Sequence, residues 1–105
     1  MEAAVILTRQ ALRDLQQIRD AIGQDRPDVA ITFCENLLDR AESLAAFPER
    51  GVLLRERPGA RFVVVKPYLI IYRWDEARSV VRVLRFWHGA RSRVSLGAAE
   101  SPPDE

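Results

Sequence analysis

The amino-acid sequence predicts a single α+β domain. An N-terminal strand and an antiparallel helical hairpin pack on a mainly antiparallel sheet, in the order β-α-α-β-β-β. Three observations carry this expectation. Apolar residues recur with helical spacing in two adjacent segments before residue 48. From residue 60 the pattern changes to β-branched and aromatic runs. The breaks between those runs are too short for parallel crossovers, so consecutive strands turn back on one another. A chain of 105 residues, 48% of them hydrophobic, has room for one core and not two. At this size about 60–70% of the unfolded surface is buried on folding.

The elements follow in order. Ala3-Ala4-Val5-Ile6-Leu7 is a short apolar run and reads as the first strand. Thr8 is suited to cap the helix after it, because its hydroxyl accepts from an orphan backbone N–H. Ala11, Leu15, Ile18 and Ile22 then recur every three or four residues, with Leu12 widening the stripe. Arg13, Asp14, Gln17 and Asp20 are read as lying off it. Gly23 is placed as the stop, in the left-handed conformation that costs glycine little. Pro27 opens the second helix, where a missing N–H is harmless. Ala30, Phe33, Leu37, Ala41 and Leu44 form its apolar stripe, flanked by Cys34 and Leu38. The helix must end before Pro48, and Pro48-Glu49-Arg50-Gly51 is turn chemistry.

Three strands are then expected: Arg61 to Val65, Tyr68 to Trp74 and Val80 to Trp87. Lys66-Pro67 breaks the first pair, and the polar Asp75-Glu76-Ala77-Arg78 the second. Phe62, Val64, Leu69 and Ile71, with part of the last strand, are assigned to the sheet core. The domain is expected to span 1–94, with a disordered acidic tail at 95–105.

Charge is distributed unevenly. Residues 1–49 hold five arginines against nine acidic residues, a net −4. Residues 50–93 hold ten arginines and Lys66 against three acids, a net +8, and residues 94–105 carry −3. The basic half suits a nucleic acid or an acidic protein partner, or simply a solvated sheet face expected opposite the helices. With one cysteine, Cys34, no intramolecular disulfide can form, and core packing is its expected role. One histidine, His88, far from that cysteine gives no metal-ligand spacing, and no glycine-rich phosphate loop is present, so no metal and no cofactor are expected. No secretory signal or membrane-spanning run is visible, and the protein is expected to be cytoplasmic.

Five local stretches carry a resemblance. They are Thr8 to Ile18 with its Asp14-Leu15 pair, Pro27-Asp28-Val29-Ala30, Leu44 to Gly51 with a Leu-x-x-x-Pro-x-x-Gly spacing, Tyr68 to Arg73, and His88-Gly89-Ala90-Arg91. In this order and spacing, over about residues 4–93, the chain resembles the ParE/RelE superfamily of toxins from type II toxin–antitoxin systems. The resemblance implies one of two activities. One branch cuts mRNA on the ribosome. The other, ParE-like, poisons DNA gyrase. RNA cutting needs a proton shuttle for the 2′-OH and cations for the phosphate. The nucleases resemble one another in an arginine at the start of the central strand. Here Leu69 takes its place, and the resemblance points to the ParE-like branch. Several nucleases also carry a tyrosine after the last strand, and Ser95 stands near that position.

No catalytic residue is therefore expected; under the nuclease alternative His88, Arg61, Arg73 and Arg91 would serve. Arg61, Arg73, Arg85, His88 and Arg91 are the candidate target contacts. His88 alone reads more simply as a strand-end residue bonded to backbone. The resemblance further implies a neighbouring ParD-like antitoxin that binds DNA itself and forms a hetero-oligomer with this chain. Its candidate contacts are Leu12, Arg19, Leu38, Trp74 and Trp87, although both tryptophans read equally well as core aromatics. No recognition helix is seen, so no direct sequence-specific DNA binding and no membrane partner are expected. A non-toxic member that only binds antitoxin is the remaining alternative.

Overall fold

The computed structural model describes residues 3–94 and Leu96. In chain order these form β1 (Ala4–Leu7), α1 (Arg9–Gly23), α2 (Pro27–Ser43), β2 (Val52–Leu53), β3 (Ala60–Val65), β4 (Tyr68–Asp75) and β5 (Val80–His88). The five-stranded sheet has the order β1-β5-β4-β3-β2. The β2 to β5 pairings are antiparallel, while β1 returns beside β5 in parallel. The expected α+β architecture is thus observed, with β2 added.

Each helix forms for the anticipated reason. Thr8 has extended backbone angles, and its hydroxyl accepts from the Ala11 N–H at 3.1 Å. Pro27 begins α2 in its first turn. The α2 stripe is buried except at Phe33, which is half-buried, and Leu37 and Leu44 are fully enclosed. The end of α1 differs from expectation. Gly23 is still helical and does not take the left-handed conformation; the chain instead turns through hydrogen bonds from Asp25 and Arg26 to the Ile22 carbonyl.

Both sheet faces are buried, and this corrects the assignment of the sheet core. The helices cover Val63, Val65, Ile70, Tyr72, Val81, Val83 and Phe86. Phe62, Leu69 and Ile71 lie on the opposite face, with Leu54, Ala60, Leu84 and Trp87. Val64 is 46% exposed and belongs to neither cluster. A register shift also breaks the alternation within the last strand. Ile71 pairs with Arg85 but Tyr72 with Val83, so Leu84 is an extra residue that reverses the parity of β5. Leu96 is only 1% exposed and closes the second cluster. Of the expected tail only Leu96 is described; Ser95 and residues 97–105 lie outside the described residues.

Asp14, read from the sequence as an off-stripe polar residue, is 4% exposed. β1 pairs with β5 only as far as Val83. Beyond that point α1 satisfies the β5 edge. The Thr8 N–H donates to the Val83 carbonyl at 3.0 Å and its hydroxyl to the Leu84 carbonyl at 3.1 Å. Asp14 then accepts from the Phe86 N–H at 3.0 Å and pairs with Arg85, whose Nε lies 2.7 Å from Oδ2 and Nη2 3.0 Å from Oδ1. Gln10 donates a further bond to Oδ1. A carboxylate so enclosed is tolerable because its oxygens are paired and hydrogen-bonded.

Candidate functional site

The five residues expected to face a target do not form one site. Arg85, His88 and Arg91 gather at the C-terminal end of β5. Two guanidinium groups lie over the Trp87 ring, Arg91 at 3.9 Å and Arg85 at 4.9 Å from its centroid. The Trp87 indole N–H donates to the Arg91 carbonyl. His88 Nδ1 accepts from the Ala90 N–H at 3.0 Å, which leaves the imidazole to carry its proton on Nε2. The strand-end role read for His88 is therefore present. Its ring meets the Tyr68 ring edge-on at 5.0 Å, and Phe33 of α2 packs on Tyr68 from 5.7 Å. A cavity of about 220 Å³ is lined by Tyr68, His88 and Arg91 from one side and by Gln17 and Ala21 of α1 from the other.

Arg61 and Arg73 serve loops instead. Arg61 donates to the carbonyls of Glu49 (3.0 Å) and Gly51 (2.9 Å). Arg73 donates to the Pro58 carbonyl at 3.1 Å. Arg73 is five residues along β4 from Tyr68, a separation of about 16 Å at strand rise.

The antitoxin candidates divide differently. Leu12, Arg19 and Leu38 line one groove of about 480 Å³ between α1 and α2, together with Leu15, Ile31, Cys34 and Glu35. Leu12 is 51% and Ile31 56% exposed, so the outer face of the hairpin presents apolar surface flanked by charge. Trp87 is only 1% exposed in the second cluster, and Trp74 packs against the helix-side core. Trp87 is thus a core aromatic, while Trp74 is only partly buried.

Burial pushes the Cys34 thiol above its ordinary pKa, with Arg19 pulling it partly back. Burial likewise raises Tyr68 and Tyr72, the latter against the lowering effect of its bond from Gly51. In all three the neutral form is favoured in the fold. As pH rises, the unfolded chain loses these protons first, so their stabilisation is complete below the ordinary thiol range and declines as pH climbs through the folded values. Urea unfolding is expected to show stability falling above about pH 9. Cys34→Ala is expected to remove the earliest part of that fall.

The comparisons with known proteins bear on this arrangement. The family model for the ParE toxin of the type II toxin–antitoxin system parDE matches residues 5–93. The chain belongs to the ParE toxin family. Within the wider ParE/RelE group it is 44% identical over 93 residues to Toxin RelE2 of Caulobacter vibrioides, covering 85% of this chain and 98% of that protein. Its fold is similar to that in the chromosomal ParDE system of P. aeruginosa (TM-score 0.72, 21% identity, 83% and 96% of the two chains). It is also similar to a chain of the RelBE2 toxin–antitoxin complex of Mycobacterium tuberculosis (TM-score 0.65, 25% identity, 84% and 99%). Among the described residues of this ParE-family chain, no helix is long and apolar enough to cross a membrane.

Proposed function

We propose that this ParE-family toxin acts in the cytoplasm by binding and inhibiting DNA gyrase, and that a ParD-like antitoxin neutralises it. The observation that carries the first part is Leu69. Where RNA-cutting members of the superfamily keep an arginine at the start of the central strand, this chain has a leucine. It is 5% exposed and packed with Ile71, Leu84 and Trp87. An apolar cluster closed by Leu96 cannot stabilise a phosphorane. The contact surface would instead be the end of β5, where Arg91 is exposed and His88 half-buried. The antitoxin part is supported by the groove that unites Leu12, Arg19 and Leu38, and by relatives solved as toxin–antitoxin systems. An amphipathic helix of the antitoxin fits such a groove.

The purified chain is expected to inhibit gyrase supercoiling and to leave ribosome-bound mRNA intact. Substituting His88→Ala and Arg91→Ala together should weaken gyrase inhibition by about tenfold or more, with antitoxin affinity unchanged. Full inhibition by a folded double variant would remove this surface from the target site. One observation favours the nuclease alternative: His88, Tyr68 and Arg91 line a single cavity, offering a proton shuttle, a hydroxyl and a cation together. Codon-specific mRNA cleavage with gyrase unaffected would establish that reading.

A further inference from the structure

The cavity at the C-terminal end of β5 holds about 220 Å³ between that strand end and α1, roughly seven water volumes. Its polar lining consists mainly of donors. Arg91 brings a guanidinium, Tyr68 a hydroxyl and Gln17 an amide, and no described residue supplies an acceptor to any of these groups. His88 adds the N–H of Nε2, since its Nδ1 is occupied by the Ala90 N–H. The acid in the lining, Asp14, is already spent. Its Oδ2 accepts from Arg85 Nε and the Phe86 N–H, and its Oδ1 from Arg85 Nη2 and Gln10. With Asp14 neutralised by Arg85, the Arg91 charge is uncompensated within the cavity.

The donors are also held in place. The Arg91 N–H donates to the His88 carbonyl at 3.0 Å, and the Trp87 indole N–H to the Arg91 carbonyl at 3.4 Å. The Arg91 guanidinium lies 3.9 Å from the Trp87 ring centroid. Stacking occupies one face of the guanidinium and leaves its in-plane N–H fork open. The His88 ring is fixed by the Ala90 N–H on one side and by the edge-on Tyr68 ring on another. A preorganised set of donors carrying net positive charge selects an anion.

Shape decides which anion. Ile18, Ala21 and Phe86 make the rest of the wall apolar. A side-chain carboxylate is terminal, and the methylenes behind it suit such a wall. A backbone phosphate of nucleic acid is flanked by sugar on both sides and does not fit a recess of this volume beneath a helix. We propose that the cavity binds one aspartate or glutamate side chain of a protein target. The inference rests on the binding-inhibitor reading only for the identity of that target, gyrase.

Acetate and dimethyl phosphate, titrated into the purified chain at constant ionic strength, are the probes. Acetate is expected to shift the His88 Nε2 and Arg91 Nε resonances saturably, with a dissociation constant of about 1–100 mM. Dimethyl phosphate and chloride are expected to show no saturation. Arg91→Ala should abolish the acetate effect on His88. Tyr68→Phe should weaken acetate about tenfold. Its hydroxyl bonds no described residue and its ring keeps the His88 and Phe33 contacts, so the fold is retained. The same variant should inhibit gyrase about tenfold less well. Acetate shifts no different from those of chloride would overturn the site and leave the gyrase reading standing. Saturation by dimethyl phosphate alone would overturn the carboxylate in favour of nucleic acid. Undiminished gyrase inhibition by Tyr68→Phe, with its acetate binding weakened, would overturn the assignment of the site to the target. Saturable acetate binding by a chain that leaves gyrase active would support the site and overturn the gyrase reading.

Discussion

Asp14→Ala is expected to lower the unfolding free energy by about 3–5 kcal/mol, because it strands one member of a buried ion pair. Arg85, with a side chain 14% exposed, would lose both of its carboxylate bonds, and the Phe86 N–H would lose its acceptor. Water cannot readily replace a carboxylate inserted between a helix and a strand edge. For a domain of this size the loss corresponds to a drop in melting temperature of roughly 15–30 °C, and it is a large share of the 5–15 kcal/mol that holds small domains folded. Asp14→Asn keeps the shape but removes the charge, and should fall between wild type and alanine. Replacing both partners with apolar residues of similar size, Asp14→Leu with Arg85→Met, should recover much of the stability, since neither charge is then left buried alone. Urea unfolding of the four proteins measures this directly. A cost below about 1 kcal/mol for Asp14→Ala would reduce the pair to an ordinary surface contact.

The same pair shows where the sequence was readable and where it was not. The α2 stripe of Ala30, Phe33, Leu37, Ala41 and Leu44 was legible because its residue types and its period agree; all but the half-buried Phe33 are buried. Asp14 sits three residues after Ala11 and four before Ile18, which is the spacing of the buried face of α1. Its chemical type concealed that position, since a carboxylate is ordinarily exposed. The spacing was the signal that could have found it. The strands were legible as strands, but not as to which face they turn. When both faces are covered, an apolar run such as Leu69 to Tyr72 shows no alternation to read, and the extra residue at Leu84 reverses the parity of the remainder of β5. β2 was invisible because two residues between arginines make no pattern.

The site residues divide along similar lines. Leu12, Arg19 and Leu38 could be grouped because helix geometry places such positions on one surface, and the structure brings them to one groove. Arg61 and Arg73 could not be separated from Arg91 by counting charge. What distinguishes them is which loop carbonyls lie within reach, and that depends on how residues 48–51 and 57–60 fold back on the sheet.

The fold of residues 48–51 depends on Tyr72, and here the second large effect is expected. Tyr72 is fully buried, and its hydroxyl donates to the Pro48 carbonyl at 2.7 Å while accepting the Gly51 N–H at 2.9 Å. One phenol thus holds both ends of the Pro-x-x-Gly segment, which gives that spacing its physical sense. A side chain at Gly51 would have no room: its Cβ would stand 2.5 Å from the hydroxyl, 2.8 Å from Cε1 and 3.0 Å from the Phe62 carbonyl. Gly51→Ala must displace the ring, adding overpacking strain to the lost hydrogen bonds, for a cost of about 2–4 kcal/mol. Tyr72→Phe should cost about 1–3 kcal/mol by leaving the Pro48 carbonyl and the Gly51 N–H without their partner. The two substitutions act on the same contact, so they should not add. Removing the hydroxyl eliminates the closest obstacle to the new methyl, and the double variant should be more stable than the sum of the single effects by about 1 kcal/mol or more. Because Arg61 grips the Glu49 and Gly51 carbonyls of the same segment, both single variants should also speed amide exchange from Glu49 to Leu53. Strict additivity in urea unfolding, with exchange in that segment unchanged, would show that Tyr72 fills space there without governing the loop.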